Sequence, residues 1–359
     1  MVPDLPPSPP PTPTPAANAA FPVGGARPAA ARSLPAAVRL ARHRSVLPLC
    51  PTARVVGLDP ETALVVDDLP PPLAALLDRL DRPAVTAELV AAATAGGVPA
   101  EIVRDLLVRL VEAGALVDAT EPERAARARA AGVVSVRGRG PLAVGIVAGL
   151  LYNGIGTVHT DTGGVVNGGD LGTGYTDADR GGERLGATQA AVRRLLPGAV
   201  TRAPPMRSRP DLVVLADETP DPTIAEQLRT NGVAHLAARL RDGVGIVGPL
   251  VYPGRTACLS CLDLTRGDLD PRWPAVAARL AGRAGVADPA AATATVGLAV
   301  AQAVAAIEER HPVAPSTTLE LDVETGELHR RFWSAHPDCP CGAAPVDRAS
   351  QVRGETIMR

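Results

Sequence analysis

The sequence predicts an α/β chain. A Rossmann-like, mostly parallel sheet fills the C-terminal two thirds, a smaller winged-helix α/β domain precedes it, and a Pro-rich N-terminus lies outside both. Three observations carry this reading. From Val133 onward, short β-branched runs alternate with helical segments, the pattern of a parallel sheet flanked by helices. A glycine turn, Gly138-Arg-Gly140-Pro-Leu-Ala143, falls between the first such strand and the first such helix. Ten prolines crowd the first thirty positions, a composition that cannot bury enough apolar surface to order itself.

Composition narrows the function. The 359 residues suit two domains, and 46% hydrophobic against 21% charged residues allows a sizeable core. A net charge of −2 argues against a dedicated nucleic-acid binder, which would show a basic face. Every one of the 36 cationic side chains is arginine, so chemistry that needs a lysine of this chain is excluded. Aromatic residues are 2%, too few for base-stacking platforms. The N-terminus lacks a signal-peptide pattern, and the apolar stretches Pro141 to Leu151 and Val296 to Ile307 are too short or interrupted to span a membrane. A cytoplasmic chain is the expectation.

Residues 1–33 are expected to be a disordered tail. Residues 34–118 read as the winged-helix domain. Ser45 to Leu49, Arg54 to Leu58 and Ala63 to Val66 are strand candidates. Pro71 to Leu80 is a helix with Leu73, Leu76, Leu77 and Leu80 on one stripe. Helices follow over Val85 to Ala95 and Pro99 to Ala113, ended by Gly96, Gly97 and Gly114, and Leu116 to Asp118 returns as a strand. The last helix carries Glu101, Asp105 and Glu112, a poor recognition helix for phosphates, so peptide capture at a sheet edge fits better than DNA binding. A docking or dimerisation module is the alternative.

Residues 119–132 are a polar helical linker, and 133–345 form the main domain. Strands are expected at Val133 to Arg137, Gly156 to Thr160, Leu212 to Ala216 and Val233 to Ala237. Helices are expected at Pro141 to Tyr152, Glu183 to Leu196, Thr223 to Thr230 and Ala290 to Glu309. Thr317 to Val323 and Glu327 to Trp333 close as a hairpin around Gly326. Residues 346–359 are read as a flexible tail.

The glycine turn permits close approach of a phosphate to a helix N-terminus, and Asp161, 23 positions after Gly138, falls where an acid can hold a ribose hydroxyl. Glycines that serve only strand–helix packing are the alternative. Cys258-Leu-Ser-Cys261 and Cys339-Pro-Cys341 form two close pairs 78 positions apart (339 − 261 = 78), which points to a closed four-thiolate structural zinc site. His336 is a reserve ligand, and unliganded thiols are the alternative. Cys50 reads as a buried core thiol.

Together these residues resemble the ThiF–MoeB superfamily, the ubiquitin-activating-enzyme-like fold, over about Val133 to Ala343. The likeness rests on the glycine turn, Gly154-Ile-Gly156, Asp161 with Asn167, the Asp211 to Asp217 strand and the cysteine pairs. It implies an ATP–magnesium site at Gly138, Gly140, Asp161, Asn167 and Asp217. Asp217 matches the magnesium-binding acid and, with Asn167, is the catalytic candidate. It also implies adenylation of a C-terminal carboxylate, often by a homodimer. A narrower likeness is to the ThiF-like proteins of thiazole/oxazole-modified peptide clusters. It is carried by Cys258-Leu-Ser-Cys261-Leu-Asp-Leu-Thr-Arg266, Asp270-Pro-Arg-Trp273-Pro and His336-Pro-Asp-Cys339-Pro-Cys341. It implies a PqqD-like domain that grips a leader peptide near Ala63 to Val66 and recruits it to a separate YcaO-type cyclodehydratase. Three departures separate the chain from adenylating members. Asp170 stands where they place an arginine. Their helix lysine falls near Ala187. His159 replaces the first acid at the end of the second strand. Arg180 and Arg184 are the available substitutes, and the eight glycines between Thr162 and Gly182 suggest a mobile loop or a repurposed cleft. Asp217 as a simple turn cap stays an alternative.

Overall fold

In the computed structural model, residues 34–206, 209–281 and 283–345 are described. The tails expected at 1–33 and 346–359 lie outside them. The chain divides into two compact units, residues 1–123 and 124–359.

In the first unit the chain runs β1 (Ala37–Leu40), β2 (Val46–Cys50), β3 (Ala53–Val56), β4 (Leu64–Val66), α1 (Pro71–Asp78), β5 (Ala84–Val85), α2 (Thr86–Ala95), α3 (Ala100–Glu112) and β6 (Leu116–Asp118). One antiparallel sheet has the order β5-β1-β6 and a second is the meander β2-β3-β4. The leucine stripe does what its 3.6-residue period requires: Leu73, Leu76, Leu77 and Leu80 are all buried, against Val38, Leu89, Leu107 and Leu110. Proline at the first position starts α1 at no hydrogen-bond cost, and Gly114, at φ 64°, ends α3. Strands β1 and β5 have no sequence signal, being four and two residues long. β1 is a strand because it meets β6, far along the chain, in register Val38 opposite Asp118.

Cys50 departs from the expectation of a core thiol. It is exposed, because β2 is an edge strand that turns four of its five residues to solvent. A second feature of this hairpin sets a pH dependence. The Arg54 guanidinium forks onto Asp78, Nε to Oδ1 at 2.6 Å and Nη2 to Oδ2 at 2.8 Å, and tethers the meander to the end of α1. That hydrogen-bonded arginine holds the Asp78 carboxyl below its ordinary 3.8. A depressed folded-state pKa stabilises fully above the unfolded value and is lost as pH falls through the folded one. Asp78→Asn is therefore expected to flatten the acid limb of the unit's stability, between about pH 5 and 3. Urea midpoints against pH check this, and parallel curves for the two proteins would discard the assignment.

The second unit takes up α4 (Glu121–Ala131) and continues as β7 (Val133–Arg137), α5 (Pro141–Tyr152), β8 (Thr157–Asp161), α6 (Arg184–Leu195), β9 (Leu212–Leu215), α7 (Pro222–Thr230), β10 (His235–Arg241), β11 (Val244–Val251), α8 (Leu259–Leu269), α9 (Trp273–Leu280), α10 (Pro289–Ile307), β12 (Thr317–Asp322) and β13 (Glu327–Phe332). The seven-stranded sheet has the order β13-β12-β11-β10-β9-β7-β8. Strands β8, β7, β9 and β10 are parallel, and β11, β12 and β13 extend them antiparallel. Period-two alternation sorts the faces. Val134, Val136 and Val214 join α5 and α10 in one core, and Val213 and Leu215 join the α7–α8 side in another.

The segment between the fourth strand and the last helix hides β11, α8 and α9 from periodicity. β11 carries Gly245, Gly248 and Pro249, residues that read as strand breakers. Gly245 is there for contact: a Cβ on it would collide with Thr295 of α10. α10 is 19 residues long and apolar enough, by length and composition, to cross a membrane. Here its Ala291, Ala292, Thr295, Ala299 and Ala303 stripe is buried in the core beside α5 and the sheet. It is a core helix, and Gly149 of α5 leaves room for its Val300.

Candidate functional site

The glycine turn sits between β7 and α5, at the carboxyl end of the sheet. Gly138 has φ 136°, and a Cβ there would lie 2.8 Å from the backbone carbon of Ala216, at the end of β9. Gly140, at φ 86°, caps α5, with Pro141 at the first helical position. Only glycine allows both the left-handed backbone and the approach to β9.

Two N–H groups of this turn, those of Arg139 and Gly140, already have partners, and both are carboxylates. Asp217 Oδ1 accepts from the Arg139 N–H at 2.9 Å, and Asp170 Oδ1 accepts from the Gly140 N–H at 2.7 Å. Asp170 is fully buried. Its Oδ2 accepts from the Asn167 N–H at 2.7 Å. Arg184 Nη1 forms an ion pair 2.6 Å from its Oδ1, while Arg184 Nε and Nη2 donate to the carbonyls of Gly163 and Val165. The Asn167 side chain accepts from the Gly169 N–H and closes a capping box over the single turn Gly168–Asp170. Asp217 is half-buried, and burial pushes its carboxyl upward against the opposing pull of the Arg139 N–H and nearby arginines.

Gly138, Gly140, Asn167 and Asp217 are thus gathered around one turn, with Asp170 and Arg184 as its buried anchor. Sequence reading took Asp170 only as a departure and Arg184 as a stand-in cation. The available signal was Asn-x-x-Asp, a capping-box spacing. The pattern recurs at Thr176 and Asp179, whose carboxylate also pairs with Arg194 at 2.6 Å. Two capped turns therefore organise the glycine-rich stretch. Asp161 pairs instead with Arg137, 2.9 Å away on the neighbouring strand. Both line a 520 Å³ cleft, whose other walls include Ser135, Arg209, Gln227 and Asn231. His159 is buried in β8 with its Nδ1 unpartnered among the described residues.

The second centre is the cysteine cluster. Cys258 caps α8 and Cys261 lies in its first turn. Cys339 and Cys341 arrive from beyond β13 and place all four sulfurs within 4.8 Å of one another. Cys258–Cys261 is 3.7 Å, and Cys258–Cys339 and Cys261–Cys341 are each 3.6 Å. A tetrahedral site with metal–sulfur bonds of about 2.3 Å has sulfur–sulfur edges of about 3.8 Å, so the group can hold a metal ion. Thiol contact and burial push the Cys258 thiol far up, and burial pushes Cys339 up to about 11. Thiols so crowded ionise together only around a cation. His336 is not a ligand here: its Nε2 faces Asp268 Oδ2 at 2.8 Å, and its Nδ1 accepts from the Asp338 N–H.

No protein-family model matches the chain, and no curated protein matches it in sequence. Solved structures do. The microcin C7 biosynthetic enzyme MccB in complex with N-formylated MccA has a TM-score of 0.65 at 12% identity, over 86% of this chain and 100% of that one. The E. coli MccB + ATP structure gives 0.65 at 13%, again over 86% and 100%. The chain shares a ThiF-like fold with these structures. PaaA is a further similar structure, with a TM-score of 0.53 at 14% identity over 80% of this chain and 98% of its own.

Proposed function

We propose that this ThiF-like protein does not adenylate. It binds a leader peptide or small partner protein and presents it to a separate modifying enzyme of the YcaO cyclodehydratase type, in the cytoplasm. The observation that carries this is the occupation of the glycine-turn N–H groups by Asp217 and Asp170. A phosphate entering there meets two carboxylates. The chain also holds no lysine to clamp a transferring phosphate. Any ligand kept at this end of the sheet would contact Gly138, Gly140, Asp161, Asn167 and Asp217.

A peptide substrate draws support from MccB, which was solved with MccA. In the first unit, β4 lies within the Ala63 to Val66 segment and is an edge strand, with no strand paired to its side away from β3 among the described residues, where a peptide could add. Zinc on Cys258, Cys261, Cys339 and Cys341 is structural in this reading, since four thiolates leave no open coordination position.

The test is calorimetry of ATP–magnesium against metal-loaded, full-length protein. No saturable binding is expected at millimolar ATP. Saturable binding lost in Asp217→Ala, with pyrophosphate exchange, would overturn the reading. It would favour the second one, an ATP-dependent adenylyltransferase activating a C-terminal carboxylate, for which the ATP-bound MccB structure speaks.

A further inference from the structure

On the α7–α8 face of the sheet lies a group of arginines that the glycine turn and the cysteine cluster leave unexplained. Arg239 is in the middle of β10 and only 3% exposed, yet its Nε and Nη2 have no hydrogen-bond partner among the described residues. Arg239 lines a cavity of 30 Å³ whose other walls include Thr219, Pro222, Ser260, Asp263 and Arg266. The Thr219 hydroxyl, 5% exposed, is equally without a partner. Buried polar groups left unsatisfied are costly and rare, and three such atoms around one small cavity call for an occupant.

The charges around the cavity identify its sign. Arg239, Arg241, Arg266 and Arg331 face three carboxylates, Glu218, Asp263 and Glu320. Glu320 is taken by Arg331, at 2.8 and 3.1 Å. Glu218 stands 4.0 Å from Arg241, and Asp263 stands 4.0 Å from Arg266 while accepting the Trp273 indole N–H. Trp273 and Trp333 cover the Arg266 guanidinium, at 4.8 and 5.1 Å. Arg239 has no hydrogen-bonded counter-ion among the described residues, and Asp263 and Glu320 act on it only from farther away. Burial, with Arg266 and Arg241 nearby, pushes its guanidinium down to about 9, and Asp263 and Glu320 offset only part of that.

We propose that Arg239, Thr219 and Arg266 form a binding pocket for a carboxylate group. The guanidinium edge offers two donors in the fork spacing that a carboxylate accepts, and the hydroxyl supplies a third. One water needs about 10–15 Å³ of such space, so a 30 Å³ cavity has room for about two water-sized atoms, the two oxygens of a carboxylate, and not for the four of a phosphate. The pocket lies past the carboxyl end of β9, where residue 219 pairs with Ala281, and is separate from the glycine turn. The same chemistry can come from a free small carboxylate or from an acidic side chain of a bound peptide.

The probes are sodium formate and the capped tripeptide acetyl-Ala-Asp-Ala-amide, each against sodium chloride at matched ionic strength. Urea unfolding of the full-length, metal-loaded protein is the readout. At formate ten times its dissociation constant, the unfolding equilibrium constant is expected to fall about elevenfold. Arg239→Met keeps the length of the side chain and removes an unpaired buried charge, so it is expected to fold and to lose the response. Thr219→Val, nearly isosteric, is expected to weaken it. A response to formate alone assigns a free anion, and a response to both probes assigns a peptide carboxylate. No stabilisation by either, or an unchanged response in Arg239→Met, overturns the proposal and leaves the cavity to water.

Discussion

Cys261→Ser is expected to release the bound metal and to destabilise the second unit more than any other single change to the cluster. Cys261 is 0% exposed, and its sulfur lies 3.7 Å from Cys258 and 3.6 Å from Cys341. The serine oxygen is a poorer ligand for a soft-tolerant cation and sits farther from the centre. Two consequences add. The binding energy of the metal is folding energy, because the preformed site exists only in the folded chain. A metal held by the four thiolates would also pin the segment after β13 to α8, across 80 positions of chain. A permanent cross-link over a loop of that length removes about 4.5 kcal/mol of unfolded-state entropy on the chain-entropy account. A loss above about 3 kcal/mol is therefore expected, alongside a fall from one zinc per chain to well below half. Elemental analysis and urea unfolding read the two effects. A wild-type protein that carries no zinc when purified without chelator, with all four thiols titrating freely, would sink the metal reading. Acid is expected to mimic the substitution, because protons compete for thiolates whose free thiols are held well above neutrality.

Asp170→Ala is expected to cost at least about 3 kcal/mol, the usual penalty for leaving one member of a buried ion pair alone. The carboxylate is 0% exposed and holds three groups at once: the Gly140 and Asn167 N–H donors and the Arg184 guanidinium, itself 3% exposed. Alanine leaves a buried charge and one buried donor, the Gly140 N–H, unanswered. The double variant Asp170→Ala/Arg184→Met is expected to recover much of the loss, since removing both charges removes the desolvation problem. Denaturant unfolding of the four proteins gives the coupling energy. A single-variant cost below about 1 kcal/mol would show that Asp170 is not the anchor of the turn. The double variant has a second use. It frees the Gly140 N–H, so any gain of nucleotide binding in it would identify Asp170 as the group that closes the phosphate cradle.

The parts of this protein that were legible in its sequence are the ones encoded within a few residues of one another. Strand β7 and helix α5 follow directly from the alternation at Val133 and the apolar run after Pro141. The leucine stripe of α1 appears at its 3.6-residue spacing, and the two cysteine pairs announce their ligand geometry. The elements that were not legible break local rules for a distant reason. β11 carries glycines and a proline because α10 and β12 press on it, and β1 is a strand only by pairing with β6. Cys50 looked like a core residue because nothing local says that β2 is an edge.

By itself, the sequence determined the alternation of strands and helices, the turn that only glycine can make, the absence of lysine, and four thiols at metal-binding spacing. Each follows from backbone sterics, side-chain period or composition, which act locally. The tertiary structure alone decided which carboxylate answers the Gly140 N–H, 30 positions away, and that Arg239 in the middle of β10 would keep two donors without a hydrogen-bond partner among the described residues. Those outcomes depend on which charges meet in a space that water cannot reach. Desolvation makes every such meeting costly or stabilising by kilocalories, and spacing along the chain carries no record of it.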